Sequence, residues 1–157
     1  MNRSSLGKAV RYGLIAGLVA ASVSAIGMVE TFNERDIITG ILTLGQVLLY
    51  STPIIAGYLV IRTENDEQLS TGPALLNGII AGLMTAVPLI GLILLEVAFP
   101  TIRDSLVNVS PALIQALTFG QGPIVGSLIL AAVMSVLGLA GAAFHLLPEK
   151  IEKPLFN

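Results

Sequence analysis

Six polar positions in this chain answer one another in pairs: Glu30 and Glu96, Arg35 and Arg103, Gln46 and Gln121. Set in an apolar surrounding, a carboxylate can relay a proton, a guanidinium can hold an anion, and an amide can grip a solute or a neighbouring helix. Glu30 and Glu96 fall at the ends of apolar runs. Pairing with Arg35 and Arg103, or plain solvation, is therefore expected of them ahead of proton relay. Gln46 and Gln121 fall within apolar sequence at membrane depth, where an unsatisfied amide is costly. Hydrogen bonding between them or to backbone is expected ahead of ligand binding. The single histidine, His145, sits one turn from the end of the last apolar run, where an imidazolium suits a helix C-terminus. One histidine and no cysteine leave no multi-histidine metal site, no thiolate site and no cysteine nucleophile. No GxSxG, HExxH, Walker A or Rossmann pattern occurs in the context it needs. The reading is of a chain that is not an enzyme, with no catalytic, cofactor or metal site.

The elements that carry these residues are set by composition. Hydrophobic residues make up 54% of the 157, charged residues 11%, and the mean hydropathy is +0.87. Soluble domains carry about 25% charge, so the deficit indicates a membrane protein with the lipid bilayer as its first partner. A net charge of −2 with no basic run and little aromatic content gives nucleic-acid binding no support. From Gln68 to Leu95 there is no Lys, Arg, Asp or Glu, and about 20 apolar residues cross a ~30 Å hydrocarbon core.

In chain order, Arg3, Lys8 and Arg11 precede an apolar run from Tyr12 to Val29. That pattern also describes a secretory signal peptide, with Val23-Ser24-Ala25 as the cleavage region. The near-copy of this segment at Gly78 favours a retained helix. A second run, Ile37 to Ile61, carries Gln46 near its middle and Pro53 beside Ser51 and Thr52. The proline predicts a kink, with the hydroxyls satisfying the freed carbonyls. The third run is the Gln68–Leu95 stretch, with Pro88 inside it. Ser105 to Pro148 is again free of Lys, Arg, Asp and Glu, and one straight helix of that length would be ~66 Å. Ser110-Pro111 reads as a helix start and Gly120-Gln121-Gly122-Pro123 as an interruption. This predicts a half-helix over Pro111 to Phe119, then a spanning helix from about Pro123 to Leu147; a mere kink at 120–123 is the alternative. The tail, 149–157, stops abruptly and reads as a cut through a longer chain.

The halves also match in order. Gly13-Leu-Ile-Ala-Gly-Leu18 answers Gly78-Ile-Ile-Ala-Gly-Leu83, Arg35-Asp36 answers Arg103-Asp104, and Leu42-Thr-Leu-Gly-Gln46 answers Leu117-Thr-Phe-Gly-Gln121. The expected fold is an all-α membrane protein in one domain, 1–157. Four transmembrane helices form two parallel-repeat hairpins (about 8–62 and 68–148), with a broken or half-helix before the last span. Gly13 with Gly17, Gly78 with Gly82, and Gly122 with Gly126 are small-xxx-small faces for helix packing. Arg3, Lys8, Arg11, Arg62, Lys150 and Lys153 then share one side against Arg35 and Arg103 on the other. Six against two predicts both termini in the cytoplasm.

Over YGLIAGLVAASVSAIGMVETFNERDIITGILTLGQVLL, Tyr12 to Leu49, the chain resembles the N-terminal extension of certain bacterial branched-chain amino-acid ABC transporter permeases. In those a short duplicated membrane segment precedes the translocating core. The resemblance extends to HLLPEKIEKPL, where such permeases continue into further helices. It implies a scaffold or accessory domain in the bacterial cytoplasmic (inner) membrane, with permease core helices, a second permease subunit and an ATPase as partners. The permease core and the coupling helix that docks an ATPase are not recognisable here, so no amino-acid-binding residue carries over. The competing reading is a stand-alone structural membrane protein that assembles through its glycine faces.

Overall fold

A computed structural model describes residues 3–32, 36–38, 42–63, 70–99 and 111–146. Among them are four helices long and apolar enough to cross a membrane. The first, α1 (Arg3–Ala25), starts within the basic N-terminal segment rather than at Tyr12. It ends where Gly27 takes a left-handed φ of 79°, and a single further turn, α2 (Met28–Thr31), follows.

The second apolar run is not helical throughout. Asp36–Ile38 (β1) pairs antiparallel with Leu42–Thr43 (β2), so the all-α expectation gains a small ribbon. The β-branched Ile37 and Ile38 suit extended backbone. Helix α3 (Leu44–Arg62) begins only after Thr43 caps it, and its 19 residues rise about 28 Å, close to a bilayer core. Helix α4 (Thr71–Ala98) runs unbroken through Pro88 for 28 residues. At about 42 Å it is longer than the ~30 Å hydrocarbon core of a bilayer. The Ser105–Pro148 stretch does divide. A seven-residue helix, α5 (Pro111–Leu117), stops at a turn in which Phe119 and Gly120 both have positive φ, 55° and 69°. Two successive left-handed residues end a helix rather than kink it. The last span, α6 (Pro123–Leu146), starts after that break.

The helices α3 and α4 form the short diagonal of the bundle, and α1 and α6 each pack against both. Gly13 and Gly17 of α1 meet Ala81 and Thr85 of α4 in the same order, so these two run the same way. Lys8 near the start of α1 donates to the Thr63 carbonyl just past α3, which makes that pair antiparallel. Two apolar layers fill the interior. One gathers Ala20, Leu49, Leu89, Ile93, Leu117 and Leu130. The other is built mostly from alanine: Ala9, Ala56, Ala74, Ala81 and Ala142, with Val60 and Ile61. In a bilayer, where lipid tails are as apolar as these side chains, helices are held by close van der Waals packing in place of a hydrophobic drive.

Candidate functional site

Gln46 stands at the third position of α3, not in the middle of a span. Its backbone N–H donates to Thr43 Oγ1 (3.2 Å), and its Oε1 accepts from the Thr43 N–H (3.1 Å). This is a capping box, and the pattern Thr43-x-x-Gln46 is its sequence signature. The apolar residues around it had suggested membrane depth; the signature was there to say helix start. Gln121 is exposed in the turn between α5 and α6. The two amides lie at the same end of the bundle, and no hydrogen bond joins their side chains. The matching LTLGQ and LTFGQ segments thus serve opposite ends of helices: the first opens α3, the second closes α5.

Glu96 is half-buried in the last turn of α4. Arg35, Arg103 and the side chain of Glu30 lie outside the described residues, as does the 149–157 tail. His145 sits in the last turn of α6, and its ring meets Tyr58 of α3 edge-on at 5.2 Å between centroids. Among the described residues no group of three His, Cys, Asp or Glu could hold a metal ion.

Pro53 is buried inside α3 and deprives the Leu49 carbonyl of its usual donor. The Thr52 hydroxyl donates to that carbonyl at 2.8 Å, and Ser51 donates to Leu48 at 3.0 Å. Of the two hydroxyls beside the proline, Thr52's thus reaches the carbonyl that Pro53 frees, while Ser51's reaches the one before it. Four polar side chains are buried among the described residues: Ser24, Asn77, Thr85 and Thr118. Thr85 and Thr118 spend their hydroxyls on their own helices, on Ala81 (2.9 Å) and Ile114 (2.8 Å). Asn77 of α4 donates to the hydroxyl of Ser5 on α1, a cross-helix link that the sequence did not advertise.

The glycines do the closest packing. A methyl group on Gly13 would stand 2.6 Å from Met84 Cβ, and one on Gly17 2.8 Å from the Pro88 ring. On Gly78 it would stand 2.8 Å from the Gly138 carbonyl oxygen, and on Gly82 2.8 Å from the Met134 carbonyl carbon. Gly126 backs onto Thr118, but Gly122 has open space around it and packs against nothing. Three glycines outside the small-xxx-small pairs matter as much. Gly57, Gly138 and Gly141 bring α3 and α6 together, and Gly138 also touches Gly78 and Gly82 of α4. Single glycines on separate helices leave no spacing motif, which is why Gly57 was not legible.

One concavity opens between α1 and α3, a groove of about 210 Å³ lined by Tyr12, Ile15, Ala16, Val19, Thr52, Ile55, Ala56 and Leu59. Its lining is almost wholly apolar. No family model matches the chain, and neither curated proteins nor solved structures yield a match.

Proposed function

We propose that this chain is an integral membrane module of a bacterial transport system, a scaffold or accessory part of a permease in the cytoplasmic membrane. The transport link rests on the resemblance of residues 12–49 to the extension of branched-chain amino-acid permeases. The scaffold role rests on one structural observation: of the four polar side chains buried among the described residues, Thr85 and Thr118 bond their own helices and Asn77 bonds Ser5 of α1, which commits them to packing rather than to a continuous polar path. A solute pathway across lipid needs such a path or a water-filled cavity. The outer surface meanwhile carries exposed Leu18, Leu83, Leu94, Leu128, Val136 and Phe144, a covering suited to lipid or to neighbouring helices.

The duplication belongs to the same reading. Helices α1 and α4 run one way, and the layers shared by Leu49 with Leu130 and by Ala56 with Ala142 run α3 and α6 the other way. Two hairpins entering from one side are what a parallel repeat requires. The charge asymmetry then puts both termini in the cytoplasm. The stand-alone alternative loses its main support, because Gly13, Gly17, Gly78, Gly82 and Gly126 are occupied within the bundle.

Uptake tests the proposal. Cells lacking the segment should retain other transport but lose most uptake of labelled leucine, isoleucine and valine, restored by the wild-type segment. Unchanged uptake of all three would remove the transport link. Release of the protein from membranes by alkaline carbonate would remove the membrane assignment itself.

A further inference from the structure

The groove between α1 and α3 continues two unbroken helical stripes. On α1, Lys8, Tyr12, Ile15 and Val19 follow one another at spacings that keep them on one face; on α3, so do Arg62, Leu59, Ile55 and Thr52. Apolar members of both stripes line the groove, and each stripe ends in a cation at the same end of the bundle. Lys8 holds that mouth together by donating to the Thr63 carbonyl at 3.0 Å, which uses one of its three ammonium protons. Arg11, beside Tyr12, and Arg62 are exposed there. An apolar slot inside the hydrocarbon with cations at its interfacial end matches a molecule that has an acyl chain and an anionic head.

We propose that this groove is a binding site for an anionic phospholipid of the leaflet on the N-terminal side. One acyl chain lies between Ile15 and Ile55, and the phosphate lies against Lys8 and Arg62. The site rests on the membrane assignment above but not on the transport link. A zwitterionic lipid has the same chains and no net charge for the mouth to hold. Free phosphate has the charge and nothing to fill the slot. Lysine and arginine near an anionic headgroup layer each contribute several-fold in affinity.

Native mass spectrometry of the protein purified in an uncharged detergent tests this. Phosphatidylglycerol, phosphatidylcholine of identical chains, and inorganic phosphate are titrated separately. Phosphatidylglycerol should bind most tightly, and Lys8→Gln with Arg62→Gln should weaken it by about 30-fold in all. Ile55→Ser, at an exposed position that leaves the core intact, should weaken both lipids by placing a hydroxyl in the slot. Circular dichroism of each variant confirms that it is folded. The segment that follows carries Glu64, Asp66 and Glu67, and neutralising these to Gln, Asn and Gln should tighten phosphatidylglycerol binding. Equal binding of the two lipids, or full affinity in the double glutamine variant, would overturn the site. Equal binding of inorganic phosphate would reduce it to a plain anion site, and an indifferent Ile55→Ser would remove the acyl slot. Carbonate-extractable protein defeats the membrane assignment instead, so the two failures are distinguishable.

Discussion

At the scale of single residues, the polar groups of this chain mostly serve their own helices. Thr52 is the clearest case, since its hydroxyl stands in for the N–H that Pro53 lacks. Replacing Thr52 with Val keeps the volume and removes the donor, which should cost about 1 kcal/mol of stability. In a Pro53→Ala background the Leu49 carbonyl regains an amide partner, so the same replacement should cost much less. Unfolding the four proteins of that cycle in detergent measures the coupling. Equal costs in both backgrounds would show that the hydroxyl does not serve the carbonyl. This pairing was legible because proline, threonine and the freed carbonyl are neighbours in sequence. The backbone bond of Gln46 was expected, but its place in the helix was misread for the opposite reason: apolar neighbours on both sides hid a helix start that only the Thr43-x-x-Gln46 signature declares. Asn77 and Ser5, far apart in the chain, gave no local sign of their meeting.

At the scale of elements, helix approach is decided by where a side chain is absent. A methyl group on Gly138 would come within 2.7 Å of the Gly82 Cα, where backbone faces backbone and neither can yield without moving a helix. Gly138→Ala should therefore destabilise the bundle by about 1–3 kcal/mol, the range for overpacked interiors. Gly91, on α4 with nothing near it, should show the reverse. Gly91→Ala should be neutral or stabilise by up to about 1 kcal/mol, since it only improves helix propensity. Thermal unfolding of both variants in detergent separates crowding from propensity. If both lose stability alike, the close approach at Gly138 is not what holds α4 to α6. The four long apolar runs were readable from composition and charge spacing alone. Their ends were not, because caps and the β1–β2 ribbon are local choices inside otherwise apolar sequence.

At the scale of the whole molecule, the bundle has two chemically distinct ends. One gathers Ser4, Arg11, Arg62, Thr63 and Ser70; the other gathers β1, Phe99 and the exposed turn at Gln121. The chain has no cysteine, so single cysteines can report each end without background. In spheroplasts, Phe99→Cys and Gln121→Cys should react with a membrane-impermeant maleimide. Ser4→Cys and Ser70→Cys should react only after the membrane is opened. The reverse pattern would invert the orientation, and labelling of all four from outside would break the four-span arrangement.

Gly138 meets Gly57 of α3 as well as Gly78 and Gly82 of α4, and it sits on the last of the four long helices. That position gives the bundle an order of construction. The ribosome delivers α1, α3 and α4 first, and until α6 emerges the glycines of α3 and α4 frame an empty seat cut to the width of a bare backbone. Synthesis that halts before Pro123 leaves this seat open to any small-faced helix nearby. Arrival of α6 closes it. The same glycines that fix the finished packing are therefore the ones left bare in an unfinished chain.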